Sequence, residues 1–110
     1  MGRGQYCEGL VAKDLKERGY KVYKSNLKTP YAEIDILLSH KQKPWLMVEV
    51  KSSNLSSFHA FRLSHKQKKR QLNAYLYLQQ KFDINLQIIL AIVSGKESQA
   101  KINYYSYDQF

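Results

Sequence analysis

Glu33-Ile34-Asp35-Ile36-Leu37-Leu38 and Trp45-Leu46-Met47-Val48-Glu49-Val50-Lys51, joined through His40-Lys41-Gln42-Lys43-Pro44, decide how this chain is read. Both runs are apolar enough for β-strands, and the polar, Pro-containing segment between them predicts a hairpin turn. Strand side chains alternate between faces, so Glu33, Asp35 and Leu37 share one face of the first strand. Trp45, Met47, Glu49 and Lys51 share one face of the second. Two carboxylates and an ammonium thus meet in a hydrophobic setting, where isolated charges are strongly disfavoured unless they have a counter-ion or a chemical use. The use such a cluster points to is divalent-metal binding.

Outward from these strands the pattern stays regular. Over residues 5–18, Cys7, Leu10, Val11 and Leu15 form a helical stripe, and Gly19 is a natural stop. Residues 21–27 alternate weakly around Val22 and Tyr23 and predict an edge strand, broken by Thr29-Pro30-Tyr31. Residues 52–63 lack periodicity and read as a loop carrying Phe58, His59, Phe61 and Arg62. Ser64 is placed to cap a long helix reaching Phe82, with Leu72, Tyr75, Leu76 and Phe82 turned inward. The apolar run of residues 85–93 predicts a central strand, and a turn through Gly95 leads to a last strand over residues 101–107. The order is helix, three strands, helix, two strands. At 110 residues the expectation is a single α/β domain over residues 1–110.

Hydrophobic residues make up 44%, enough for a core, while 18 Lys and Arg against 9 Asp and Glu leave a net charge of +9, which favours a polyanionic partner. The single Cys7 excludes an internal disulfide and a multi-cysteine zinc site, and fits a reducing cytoplasm. No apolar run approaches a membrane span, and Met1-Gly2-Arg3-Gly4-Gln5 has no apolar stretch behind its charge, so the expectation is a soluble, unexported protein.

A third carboxylate joins the first two. On a helical wheel Glu8 falls between Leu15 and Ala12, within the inward stripe of the first helix. The bland alternative is a structural ion pair of Lys51 with Glu8 or Glu49, but one lysine does not neutralise three acids. Magnesium and manganese take oxygen ligands, and sparse carboxylates leave room for water and phosphate. Glu49-Val50-Lys51 also differs from the similar triplet Asp14-Leu15-Lys16, which lies in a helix where positions two apart do not share a face.

Glu8, Glu33-Ile34-Asp35 and Val48-Glu49-Val50-Lys51 together resemble the PD-(D/E)xK nuclease superfamily. Cys7-Glu8-Gly9 and Lys28-Thr29-Pro30-Tyr31-Ala32-Glu33-Ile34-Asp35 look most like its small bacterial YraN-like branch, related to archaeal Holliday junction resolvases; Ala32 stands where that branch usually has glycine. The resemblance implies a restriction-endonuclease-like αβββαβ core, a mixed sheet flanked by helices, here with an extra C-terminal strand. It also implies a Mg2+- or Mn2+-dependent phosphodiester hydrolysis site, with Glu8, Asp35 and Glu49 as metal ligands and Lys51 as a catalytic residue. Gln71 and Tyr75 resemble the Gln-x-x-x-Tyr element of RecB-like nucleases; Gln71 is either an active-site residue or a solvated one, and Tyr75 equally plain core.

The second helix opens with Lys66, Lys68, Lys69 and Arg70, although each cation there opposes the helix dipole by about 0.3–1 kcal/mol, a cost that bound phosphate would offset. With Lys41, Lys43 and Arg62 they form the expected nucleic-acid contacts. No base-reading pattern is evident, so recognition through backbone or shape is expected. Phe58 and Phe61 either stack on bases or fold back onto the core. His40, His59 and His65 have no zinc or triad spacing. The expectation is a nuclease acting on branched or single-stranded DNA. The rivals are an inactive DNA-binding module of the same fold and a basic RNA-binding protein. Tyr104-Tyr105-Ser106-Tyr107 is either a homodimer edge or a covered one.

Overall fold

The computed structural model describes residues 3–53 and 65–107. Helix α1 (Arg3–Glu17) ends where Gly19 adopts a φ of 99°; the Tyr20 N–H donates to the Leu15 carbonyl at 3.1 Å and the Gly19 N–H to that of Lys16 at 3.0 Å, a Schellman stop that needs glycine. Strands β1 (Lys21–Lys28), β2 (Glu33–Ser39) and β3 (Trp45–Ser53) follow, then α2 (His65–Phe82), β4 (Leu86–Ser94) and β5 (Lys101–Ser106). This is the predicted order. Strand β3 runs through Ser52 and Ser53, which the sequence reading placed in the loop. Ser64, its capping role, and the loop aromatics lie outside the described residues.

The five strands lie in sequence order, antiparallel except for β3 and β4, which are parallel. A parallel pair needs a crossover, and α2 provides it. The helices cover opposite faces. Cys7, Val11 and Leu15 of α1 pack with Ile36, Leu38, Val48, Ala91 and Val93, while Ala74 and Leu78 of α2 pack with Leu37, Met47, Ile88, Leu90 and Ile92. Strand β4 is therefore buried on both faces, which explains its unbroken apolar run.

One inward assignment on α2 is corrected. Leu76 is 53% exposed, because the helix meets the sheet through Gln71, Ala74 and Leu78, and Leu76 lies about 200° around the helix from Ala74. Leu72, Tyr75 and Phe82 are half-buried flanks of that stripe. At the β4–β5 turn Gly95 has a φ of 87°, and a Cβ there would lie 2.7 Å from the Gln99 carbonyl oxygen, so no other residue fits without movement.

The last strand turns its rings back onto its own core. Tyr104 packs on the α1 side and donates a 2.6 Å hydrogen bond to Asp14, which also pairs with Arg18 at 3.2 Å; Tyr105 and Tyr107 pack on the α2 side. The acid of the Asp14-Leu15-Lys16 triplet is thus a structural tie. Among the described residues no helix is long and apolar enough to cross a membrane.

Candidate active site

Strands β2 and β3 pair at Leu38↔Leu46, Leu37↔Met47 and Ile36↔Val48, then part. One further step of that register would set Asp35 opposite Glu49. There the Asp35 carboxylate takes over the role of a backbone acceptor, receiving the Val50 N–H at 2.8 Å. On the other flank Asn26, between the pairs Ser25↔Ile36 and Leu27↔Ile34, has a φ of 52°, a left-handed conformation that asparagine tolerates better than most residues. Ile34 and Ile36, two apart, enter opposite clusters. The simple alternation that set Glu33, Asp35 and Leu37 on one face therefore fails at Asp35, because the strand is distorted where the sheet forks. Glu33 is exposed, and its charge acts on both Asp35 and Glu8.

Glu49 is the centre of the cluster. Its carboxyl group is in hydrogen-bond contact with Asp35, its Oε1 lies 3.3 Å from the Lys51 ammonium, and its Oε2 accepts from the Gln71 amide at 3.4 Å. Gln71 is 9% exposed, so the solvated alternative for it is excluded. Tyr75, one turn later, flanks the core.

The electrostatics follow from this crowding. Burial, then the Asp35 charge, push Glu49 up to about 7 despite the opposing Lys51. Burial also raises Asp35, against the Val50 N–H and Lys51, which favour its charged form. Glu8, half-buried on α1, is raised by burial first and next by Asp35 and Glu33. Two acids thus share one ammonium, and Glu8 and Glu33 add negative charge beside Asp35. Such an excess of carboxylate oxygen suits a hard cation that keeps several waters and accepts phosphate oxygens. Among the described residues no group of three or more His, Cys, Asp or Glu side chains is placed to hold a metal ion, so the expected convergence of Glu8 with Asp35 and Glu49 as three ligands is not seen: Asp35 and Glu49 are the intimate pair, and Glu8 acts on Asp35 by charge.

A pH dependence follows. Glu49 binds its proton more tightly in the folded chain (about 7) than at its ordinary value of 4.5, so its contribution to stability is full below about 4.5 and is lost as pH rises through about 7. The size is about 3 kcal/mol from the shift. Thermal melts of metal-free protein should fall between pH 5 and 8, Glu49→Gln should flatten that fall, and Mg2+ or Mn2+ should recover the melting temperature at pH 8. A wild-type profile as flat as that of Glu49→Gln would show that Glu49 is not strained.

The basic residues divide between two ends of the molecule. His65, Lys66, Lys69 and Arg70 are exposed on the first turns of α2, on the helix that carries Gln71 to Glu49. Lys68 lies with its ammonium 5.2 Å from the centre of the Tyr107 ring, and with His65, Lys69, Leu72 and Tyr107 lines a groove of about 220 Å³. Lys41 and Lys43 sit on the turn beyond the far end of β2, whose last residue, Ser39, is four residues or roughly 13 Å along the strand from Asp35. His40 organises that turn: its Nδ1 accepts the N–H groups of Gln42 at 3.0 Å and Lys43 at 3.1 Å. Sequence reading found no such role for it. Arg62, His59, Phe58 and Phe61 lie outside the described residues.

The model of "Uncharacterised protein family UPF0102" matches residues 7–89. A UPF0102 protein of Fervidobacterium nodosum is 52% identical over 48 residues, 44% of this chain and 35% of that one. One of Shewanella oneidensis is 36% identical over 58 residues, 53% of each chain, and one of Kosmotoga olearia is 29% identical over 101 residues, 88% of this chain and 87% of the other. The first two matches span only about a third to a half of those relatives' own length. Among solved structures, Hjc of Archaeoglobus fulgidus, a Holliday junction resolvase from an archaeal hyperthermophile, superposes with a TM-score of 0.60 at 14% identity, covering 94% of this chain and 77% of that one. That likeness is one of fold, the α/β fold with a mixed sheet that the resemblance implied.

Proposed function

The chain belongs to the uncharacterised protein family UPF0102, and from its site we propose that it is a metal-dependent nuclease that hydrolyses DNA phosphodiester bonds at branched or single-stranded structures. The observation that carries this reading is the fork of β2 and β3, where Asp35 and Glu49 are held together with Lys51 at 3.3 Å and the buried Gln71 at 3.4 Å. Proteins rarely keep two contacting carboxylates under burial without a use for them.

Asp35 and Glu49 would hold Mg2+ or Mn2+, with water completing its shell and the Glu8 charge nearby adding to the attraction; the bound ion would polarise a phosphoryl oxygen and acidify a water. Lys51 orients the attacking water and offsets the charge that grows on the phosphorus in the transition state. Gln71 fixes one oxygen of Glu49 and leaves the other to Lys51, so the carboxylate keeps a single orientation. Lys66, Lys68, Lys69 and Arg70 anchor the backbone on the side from which α2 reaches the site.

The test is incubation of the pure protein with linear, flapped, four-way and single-stranded DNA and with RNA, with and without Mn2+. Metal-dependent cutting of DNA is the expected result; binding without cutting would identify an inactive module of the same fold, and preference for RNA a different function. Backbone binding also sets a salt dependence. If the four cations at the start of α2 each neutralise one phosphate, log affinity for duplex DNA should fall against log salt with a slope of about −3.6, and each one removed should reduce the slope by about one. Strong discrimination between two linear duplexes of equal length would defeat this account.

A further inference from the structure

An array of aromatic rings runs along the α2 side of the sheet, past the edge of the helix, from the β1–β2 turn to the β2–β3 turn. Tyr31 meets Tyr77 edge to face at 6.1 Å between centres. The Lys81 ammonium lies 5.6 Å from the centre of Tyr77 and 5.8 Å from that of Phe82, bridging the two rings. Phe82 then meets Tyr23 at 5.5 Å and Trp45 at 6.3 Å, and Tyr23 meets Trp45 at 5.1 Å. Beyond Trp45 opens a cavity of about 580 Å³ whose walls include Lys21, His40 and Lys41.

Covering the sheet does not account for these rings. Tyr23 and Tyr31 remain 51% and 49% exposed, whereas a ring placed only to shield the sheet would bury itself. Tyr23 is also the extra residue of a β-bulge, since the register shifts between Val22, opposite Leu38, and Lys24, opposite Leu37. Bulges re-aim side chains, and this one turns a large ring out to join Trp45 and Phe82. The charge near the rings is mainly positive: residues 19–33, 39–45 and 77–83, which supply all five rings, hold six lysines against Glu33 and Asp83. Rings with interleaved cations are the chemistry that stacks unpaired bases and neutralises a phosphate backbone. A duplex keeps its bases inside and has no use for exposed rings. The length of β2, six steps of roughly 3.3 Å, is about 20 Å, comparable with short single-strand sites of about four nucleotides.

We propose that the Tyr31–Tyr77–Phe82–Tyr23–Trp45 array is a track for a single-stranded DNA segment, which starts four residues from Asp35 and leads its bases away from the carboxylates toward the cavity beside Trp45. The proposal rests on the nuclease reading for the identity of the polymer; the rings and lysines are otherwise independent of the carboxylates. The chain has one tryptophan, Trp45, so the track carries its own probe. The full chain without divalent metal is titrated with an oligodeoxythymidylate and, separately, with a duplex of equal length, following tryptophan emission.

The single strand should quench Trp45 and the duplex should not. Tyr23→Ala and Lys81→Glu should each weaken single-strand binding by about tenfold, in line with loss of one stacking or cation contact, and leave duplex binding within about twofold. Both sites are solvent-exposed, and thermal melts of the variants establish that they fold. Absence of quenching, or equal weakening of single strand and duplex, overturns the track. Metal-dependent cutting without quenching removes the track and keeps the nuclease; quenching without cutting by the metal-loaded protein keeps the track and removes the nuclease.

Discussion

Asp35→Asn should abolish cleavage, with a loss of at least about a thousandfold, and should leave the fold as stable as before or more so. On the proposed reading Asp35 would help hold the cation, and a cation there would supply several kcal/mol of transition-state stabilisation that neutral asparagine forfeits. The unchanged stability has a separate cause. In the native chain Asp35 accepts the Val50 N–H at 2.8 Å, and asparagine keeps an oxygen for that hydrogen bond. It also removes a charge that is disfavoured by burial and that pushes on Glu49 and Glu8. Asp35→Ala is the informative contrast. It should be equally inactive but less stable by about 1–3 kcal/mol, the penalty for leaving a backbone N–H without its partner at the fork. Binding of DNA in the absence of metal should tighten in both variants, because repulsion between carboxylate and phosphate is relieved. Cleavage rates on the best DNA of the substrate panel and denaturant melts of the three proteins decide the matter; an Asp35→Asn protein that still cuts would place the chemistry elsewhere.

Lys51→Ala should lower turnover by about a hundredfold or more with little change in affinity, as expected for one positioned group that acts mainly in the transition state. The lysine is half-buried and paired with Glu49 at 3.3 Å, so it is held over the carboxylates rather than extended toward a distant phosphate. Its removal has a second effect. Without the ammonium, one of the influences that keep Glu49 charged is gone, and Glu49 moves further up from about 7. The pH at which the variant begins to work should therefore rise relative to wild type, and higher metal concentration should recover part of the activity. Single-turnover rates against pH separate this from anchoring: a pure loss of affinity, with the rate at saturation unchanged, would reassign Lys51 to phosphate binding.

The element order was legible from the sequence because period and punctuation survive in short segments. Gly19 stops α1, Pro30 and Pro44 bound the strands, and the double-sided burial of β4 is written in its apolar run. That Asp35, Glu49 and Lys51 meet was legible for a related reason: a carboxylate inside an apolar strand is expensive, so it needs a partner close by. Glu8 could be placed beside them because helical periodicity put it on the inward stripe.

What the sequence left open is decided by contacts between segments distant along the chain. Whether Gln71 was solvated or part of the site depended on which stripe of α2 meets the sheet, and the amphipathic pattern of that helix allowed a stripe through Leu76 that the structure does not use. Periodicity assumes a regular strand, so it did not foresee that β2 departs from alternation at Asp35, opposite Asn26 with its φ of 52°. Nor did it show that Tyr23, Tyr31, Trp45, Tyr77 and Phe82, contributed by β1, the β1–β2 turn, β3 and α2, line up in space. Local composition determined which residues carry charge, apolar surface and strain in this chain. Only the packing of α2 across the sheet, and the bulge and fork that the sheet accommodates, determined which of them meet.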